Sequence, residues 1–564
     1  MTRFESSRSA AVVFAVFLAI LFGVEASCLL PGGGMLRALA ARAWIACTAL
    51  ILVSVLIHAV LPFFRRSFWS SPDLCWYLAA FFVPVALVLF DVNGYAYTQI
   101  NDEGLQQVTS GLGLMSGRKD LGLFSVGFLG YPTRQYLLAA MPSRIFGKGL
   151  VTLRLGFGGF YLLGYLSFLS CALRYLESRK AWRPMLLASL AGELVALGSY
   201  PLLFARLFEQ TIVPLSVTLL FLSGLLLFLA RPRPFSGLWF IWALGIMPYS
   251  YTPSLAAWVL GMAVLAYLAH SGPKGMRAPL VVGLAYGAVT LAVALAVQVR
   301  GNLLPSRLLA AGLAGDHASG LSGGGPAAWA SRFLNGLHST FGIEESLVPA
   351  PLALGILFIL VHSLRRSDYR VLALCLWAAV AVVLSLALKG YWQRVPEFDI
   401  QRAMVILPPL SLALVLYVAA HWGALLDGKN EAALRGLILS AVVFMLLNAA
   451  YLPLIRRVPR AYFPFEATDR EEAAMFFVRG AAPGARVVYV APPLSIRLEE
   501  TLAYLSPGTR VVSAAPPEGE HVKGSYVISY AGQDPFVSED PNVRLADHPV
   551  RFLHPRPYLR ISPE

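Results

Sequence analysis

Long apolar runs alternate with short polar connections along the chain up to residue 455. An α-helix of roughly 20 apolar residues crosses a bilayer core of about 30 Å. Thirteen runs come near that length and predict thirteen membrane-spanning helices, with the seventh and tenth the shortest. The predicted spans are Ala10–Leu30, Leu39–Leu61, Leu74–Phe90, Leu150–Leu173, Met185–Phe204, Ile212–Ala230, Leu238–Met247, Ser254–Ala269, Ala278–Val299, Val348–Leu364, Val371–Leu388, Ala403–Trp422 and Leu437–Leu454.

Basic residues between the spans orient the chain. With the N-terminus inside, seventeen Lys and Arg fall in the inner connections and six in the short outer ones, which is the bias that retains positive loops in the cytoplasm. The net charge of +14 is therefore explained by loops that face anionic lipid. Membrane lipid is the expected partner, and nucleic acid is not.

Composition supports the same class of protein. Of 564 residues, 57% are hydrophobic and 13% are charged, and the mean hydropathy is +0.66, which excludes ordinary soluble proteins. The five cysteines lie in or beside apolar runs, so no disulfide framework is indicated. The first run contains "VEAS" at residues 24–27, a possible leader cleavage site, but it continues past these small residues, and we expect a retained helix.

Three polar segments face outward on this topology. Two are loops of the membrane domain, residues 91–149 and 300–347. The third, residues 456–564, contains the β-rich runs "ARVVYVA", "TRVVSAA" and "GSYVISYA", separated by a helical stretch and by Pro/Gly turns. The sequence thus predicts a helical membrane domain, residues 1–455, followed by a small extracytoplasmic α/β domain, residues 456–564.

The first outer loop carries a pattern of polar residues. Adjacent Asp102 and Glu103 follow the third span, and Tyr131-Pro132, an aliphatic helix ending at Phe146-Gly147, and Arg154 come after them. The order and spacing resemble the first outer loop of the GT-C glycosyltransferases, the polyprenyl-phosphate-sugar-dependent enzymes that include protein mannosyltransferases and the lipid A aminoarabinose transferase. The resemblance covers about 60 residues, and the pattern of predicted helices followed by an outer domain extends it.

The resemblance implies a function. A GT-C enzyme of this kind moves a sugar from a polyprenyl-phosphate donor to a lipid, glycan or protein acceptor on the outer face of the membrane, here expected to be the bacterial inner membrane. The family places the general base at Asp102, with Glu103 in support, and the chemistry also needs cations at the departing phosphate. An acidic pair that only solvates the loop or caps a helix is the alternative interpretation.

The phosphate ligands are candidates rather than assignments. Relatives often have a basic residue or His where this chain has Tyr131. The remaining candidates are Arg402, Arg206, Arg134, Arg394, Arg118 and Lys119. Arg402 is favoured because "IQRAMVILPPL" resembles an Arg-then-Pro helix start of the family. For any one of these residues, the alternative interpretation is an interfacial anchor.

Other polar residues are candidates for the walls of a substrate cavity: Tyr131, Glu209, Tyr249, Tyr251 and Glu193. Glu193 lies within a predicted span, so it is expected to face the bundle or a wet cavity. The tyrosines of "YSYTP" contact sugar or belong to an aromatic belt. The nine histidines form no metal-ligand spacing. No metal site or cofactor is predicted, and a metal requirement stays open.

Two other functions remain open on the sequence. A transporter or flippase of lipid-linked sugars would also be polytopic, but would carry more ionisable residues in its spans. A polysaccharide polymerase or ligase would share the outer-face site and lack the first-loop Asp-Glu pattern. A deep outer cavity at Asp102 with clustered arginines would discriminate in favour of the glycosyltransferase.

Overall fold

The computed structural model describes part of the chain. The described residues are 8–29, 34–89, 114, 123–125, 132–147, 150–196, 199–206, 210–251, 253–271, 274–300, isolated positions between 408 and 416, and the four segments 487–490, 510–512, 525–530 and 559–563.

Helices dominate the described part up to residue 300. They are α1 (Arg8–Leu29), α2 (Gly34–Val60), α3 (Arg66–Trp69), α4 (Leu74–Leu89), α5 (Arg134–Ala140), α6 (Ser143–Phe146), α7 (Leu150–Ser178), α8 (Pro184–Ala196), α9 (Ser199–Ala205), α10 (Ile212–Ala230), α11 (Pro234–Ile246), α12 (Pro253–Ser271) and α13 (Lys274–Arg300). Short 3₁₀ turns lie at Leu61–Phe64 and Met247–Tyr249.

The first nine predicted spans all coincide with helices. Eight match one helix each, and the sixth, Ile212–Ala230, has the same bounds as α10. The fifth span is described as two helices, α8 and α9. Within the described residues, five helices are long and apolar enough to cross a membrane, so the chain is a helical membrane protein. The last four predicted spans lie outside the described residues apart from isolated positions, and the total of thirteen stays a prediction.

The helix α10 forms the centre of the described bundle. Its apolar window is 94% buried, against 28% for α1 and 33% for α2. Close approach of backbones explains the packing at two points. A Cβ at Gly164 of α7 would lie 2.9 Å from the carbonyl oxygen of Ser216, and one at Gly224 would lie 2.6 Å from the amide nitrogen of Phe240. Small residues at such crossings are how helices pack without a hydrophobic driving force between them.

The bundle has two distinct ends. At one end, the connection 61–73 is joined to the last turn of α7 by the ion pair Arg65–Glu177 (2.7 Å) and to the connection 179–183 by the ion pair Arg183–Asp73 (2.8 Å). At the other end, α5 contacts residue 210 and the turn at Tyr249 is bonded to α1. The connections predicted to be inner therefore meet one another, and so do those predicted to be outer, as an alternating chain requires. Which end faces the cytoplasm still rests on the charge bias.

Four strands are described near the end of the chain: β1 (Val487–Val490), β2 (Arg510–Val512), β3 (Ser525–Tyr530) and β4 (Leu559–Pro563). They form one sheet in the order β2-β1-β3-β4, with parallel pairs around β1 and an antiparallel pair between β3 and β4. Each of the three predicted β-rich runs contains one strand, whereas β4 was not predicted. Parallel neighbours need a crossover connection, which suits an α/β pattern, and the domain itself stays a prediction.

Candidate functional site

The short helix α5 is the part of the first outer segment that is built into the bundle. Six of its seven residues are buried. Just before it, Thr133 donates both its backbone N–H (3.0 Å) and its hydroxyl (3.2 Å) to the carbonyl of Ser125. On the other side, α5 lies against α7, where a Cβ at Gly156 would sit 2.7 Å from the Cα of Ala139. A connection between two membrane spans is expected to face water, so this burial indicates a special role.

A buried ion pair lies at the start of α5. The guanidinium of Arg134 donates to both carboxylate oxygens of Glu25 in α1, at 2.6 Å and 3.3 Å, and both side chains are completely buried. The hydroxyl of Tyr249 donates to the same carboxylate at 2.5 Å, and that of Tyr286 in α13 lies 3.4 Å from it. These four residues are called the Glu25 cluster below.

Aromatic rings enclose the guanidinium of the Glu25 cluster. The Cζ atom of Arg134 lies 3.4 Å from the ring centroid of Tyr249, 5.2 Å from that of Phe124 and 5.6 Å from that of Trp44. These distances are within the range of cation–π attraction. The cation is thus stabilised by a carboxylate and by the π-faces of nearby rings.

The charge state of Arg134 follows from these contacts. Burial is the largest single influence on the pKa of Arg134 and lowers it, but the adjacent Glu25 carboxylate and the hydroxyls of Tyr249 and Tyr286 together raise the pKa above its usual value. The arginine therefore stays charged. Both Nη groups of Arg134 donate to Glu25. If Arg134 bound the donor phosphate, as predicted, the phosphate would have to take the position that the Glu25 carboxylate occupies in this structure.

A second polar contact fixes α5 to the start of α10. The side-chain amide of Gln135 and the hydroxyl of Tyr136 both donate to the side-chain oxygen of Gln210, each at 2.9 Å. All three side chains are buried. Together with the Glu25 cluster and the packing at Gly156, this contact ties α5 to α1, α7 and the residues that precede α10.

The predicted site residues divide into three groups: those in the Glu25 cluster, those described elsewhere, and those outside the described residues. Arg134 and Tyr249 are brought together in the Glu25 cluster. Arg206 is buried after α9, and Tyr251 is partly buried beside the turn that contains Tyr249. The remaining candidates lie outside the described residues: Asp102, Glu103, Arg118, Lys119, Tyr131, Glu209, Arg394 and Arg402. Arg154, part of the first-loop pattern, is buried in α7.

Glu193 occupies a different environment in α8. Its side chain is completely buried, and neither carboxylate oxygen has a hydrogen-bond partner within the described part of the chain. The neighbouring Gly192 faces the hydroxyl of Tyr165, which donates to the carbonyl of Ala80 at 2.7 Å. Buried carboxyls without partners are rare and mark functional positions in membrane proteins.

Glu25 was missed as a site residue by the sequence analysis. Its signal was available, because an acidic residue inside an apolar run is costly in lipid and needs a partner, and Glu193 was selected on that ground. The small residues beside Glu25 drew attention to a leader site instead. Gln135, Gln210 and Tyr286 carry no comparable signal in the sequence.

Metal-ligating side chains do not cluster in the part of the chain that the structure covers. Among the described residues, no three His, Cys, Asp or Glu side chains lie close enough together to hold a metal ion.

The chain was compared with known proteins. No protein-family model and no curated protein sequence matches it. Among solved structures, it is similar to ArnT from Cupriavidus metallidurans bound to undecaprenyl phosphate, at 13% identity over 79% of this chain and 87% of that chain, with a TM-score of 0.46. It is also similar to the Archaeoglobus fulgidus oligosaccharyltransferase in complex with zinc and sulfate, at 13% identity over 81% of this chain and 68% of that chain, with a TM-score of 0.39.

Both of these proteins belong to the GT-C superfamily. The first-loop pattern of this chain resembles the same superfamily.

Proposed function

We propose that the chain is an integral membrane glycosyltransferase that moves a sugar from a polyprenyl-phosphate donor to an acceptor on the outer face of the membrane. The observation that carries this proposal is the first outer segment. It combines the Asp102-Glu103 pattern with the buried, charged helix α5, whose first turn is tied into the bundle by Glu25 and Gln210. A connection with no role beyond joining two spans has no need for a fully buried arginine.

The proposed reaction is a single displacement at the anomeric carbon. The acceptor hydroxyl oxygen forms the new bond to that carbon, and the bond from the carbon to the donor phosphate breaks. Asp102 takes the proton of the hydroxyl, and Glu103 orients Asp102. The polyprenyl phosphate leaves with the bonding electrons, and arginines stabilise its growing negative charge. Arg402 is the first candidate for that role, and Arg206, Arg394, Arg118 and Lys119 are further candidates.

The proposal includes the architecture that the sequence predicts. The membrane domain, residues 1–455, has thirteen helices and a cytoplasmic N-terminus, and the α/β domain, residues 456–564, lies outside a bacterial inner membrane. The acceptor is a lipid, a glycan or a protein. The matching of nine predicted spans with described helices supports this architecture.

A flippase of lipid-linked sugars is the second candidate. The observation that favours it is Glu193, whose buried carboxyl has no hydrogen-bond partner among the described residues, because buried carboxyls of this kind are typical of transport pathways. A polymerase or ligase shares the substrates but has no described feature in its favour.

One experiment separates the two. The purified chain is incubated with a panel of polyprenyl-phosphate sugars and a mixture of lipid, glycan and peptide acceptors, and the release of polyprenyl phosphate is measured. A glycosyltransferase releases it, and Asp102→Asn lowers the release by roughly 10²-fold or more. A flippase in vesicles moves the intact donor across the bilayer without release. Donor movement with no release from any sugar would refute the proposed function.

A further inference from the structure

Glu25 joins four separate parts of the outer end of the bundle. Its carboxylate accepts two bonds from Arg134 in α5 and one from Tyr249 in the turn before α12, and the Tyr286 hydroxyl of α13 lies 3.4 Å away. Because the side chain is completely buried, these contacts are its only compensation for the loss of water among the described residues. Removal of one member of such a group leaves a charge buried alone, which strongly couples the members.

Arg134 also contacts an earlier part of the first outer segment, residues 123–125. The guanidinium of Arg134 lies over the ring of Phe124, and Phe124 packs against the group that contains Cys28 of α1 and Val297 of α13. Ser125 accepts two hydrogen bonds from Thr133, the residue before Arg134. Arg134, which Glu25 holds, thus contacts residues 123–125 as well as forming the start of α5, and both points follow Asp102 on the same segment.

We propose that Glu25 is a positioning residue of the outer-face site. Through Arg134 it holds residues 123–125 and α5 of the first outer segment against α1 and α13. A catalytic consequence is expected because Asp102 belongs to the same segment of the sequence. Glu25 touches no reacting atom. The inference rests on the proposed function for its catalytic consequence, but the anchoring itself is independent of it. The first helix is then a part of the site, since its loss would leave Arg134 buried without a counter-charge.

The opposite end of the bundle supplies a matched control. The Arg183–Asp73 pair also joins two connections, at 2.8 Å, and Asp73 is 5% exposed. Loss of this pair also removes one Arg–carboxylate ion pair from the bundle, but it removes no contact of the outer segment. Any effect that Glu25→Gln has and Asp73→Asn lacks is therefore specific to the outer end.

The test uses the full-length chain in lipid nanodiscs, with amide hydrogen exchange measured on peptides from residues 123–140. Glu25→Gln keeps the shape of the side chain and removes its charge. We expect it to raise exchange in these peptides by roughly tenfold or more, because a partner lost from a buried charge favours local opening. Asp73→Asn leaves their exchange unchanged.

Turnover is measured on the same proteins, with the donor that gives release in wild type. We expect Glu25→Gln to lower kcat by roughly tenfold or more with little change in the donor KM, because a displacement of about 1 Å can cost about 10²-fold in rate. Glu25→Asp, which keeps the charge, restores part of the loss. If Glu25 only stabilised the fold, the folded fraction of Glu25→Gln would show the kcat of wild type.

Three results decide the inference. Unchanged exchange in residues 123–140 of Glu25→Gln overturns it, and so does raised exchange with normal kcat. If Glu25→Gln does not fold, the double variant Glu25→Gln with Arg134→Gln leaves no lone buried charge, and normal kcat in that protein also overturns the inference. If wild type releases no polyprenyl phosphate from any donor, the proposed function fails, and the exchange comparison still tests the anchoring.

Discussion

The close packing of α5 on α7 makes Gly156 a sensitive position. A Cβ at Gly156 would lie 2.7 Å from both the Cα and the carbonyl carbon of Ala139. Ordinary carbon contacts begin at 3.4 Å, so one helix must move by at least 0.7 Å, the difference between the two distances. Since the contact is with backbone, no side-chain rotation relieves it. We predict that Gly156→Ala displaces α5 and destabilises the chain.

The size of the effect follows from a control in the same helix. Gly159 lies three residues further along α7 and is exposed, and a Cβ there would meet nothing within 4 Å. Both substitutions gain the same helix preference of alanine over glycine, about 1 kcal/mol. The difference between the two variants is therefore the cost of overpacking alone, about 1–3 kcal/mol. Gly159→Ala is expected to be neutral or stabilising, and Gly156→Ala is expected to be less stable than it.

The assay is thermal unfolding in detergent. The fraction of protein that stays monodisperse is measured after heating to each temperature. Both variants are heated side by side with wild type, because membrane proteins often unfold irreversibly and only matched scans are comparable. The expected order of midpoints is Gly156→Ala lowest and Gly159→Ala highest. If Gly156→Ala is as stable as Gly159→Ala, then α5 does not pack on α7 as described.

Other predictions test the proposed site and topology. Asp102→Asn should lower turnover by roughly 10²-fold or more while donor binding largely survives, and Glu103→Gln should be milder. Arg402→Ala should weaken donor binding as well as turnover, since cation and phosphate also attract each other in the ground state; donor titration measures both, and equal donor affinity in Arg402→Ala and wild type would contradict it. Glu193→Leu should be at least as heat-stable as wild type, because it removes a buried carboxyl without a described partner; a clearly lower midpoint would show a partner. A cysteine at Gly480 should react with a membrane-impermeant thiol reagent added from outside, and labelling only from the cytoplasmic side would refute the topology.

The sequence determined the membrane spans because each condition for crossing a bilayer is met within one continuous stretch of chain. A helix that crosses lipid must satisfy its backbone hydrogen bonds within itself and needs about 20 apolar residues in a row. Both conditions are visible in one stretch of chain, and α10 was accordingly predicted with its exact bounds. The same locality made the β-rich runs visible, since each contains a strand. The acidic pair at Asp102 was also recognised locally, through its spacing to Tyr131 and Arg154.

The partners of the buried polar residues were decided by the tertiary structure alone. Glu25 and Arg134 are 109 positions apart, and Glu25 and Tyr249 are 224 apart. The sequence shows that a carboxylate in an apolar run needs a partner, but the choice among distant cations depends on which helix ends meet. Arg134 and Tyr249 were selected as candidates for ligand contact, whereas the fold engages both with Glu25. The reason is physical: lipid penalises every isolated charge alike, and only the packing of α1, α5 and α13 brings this carboxylate and this guanidinium within 2.6 Å.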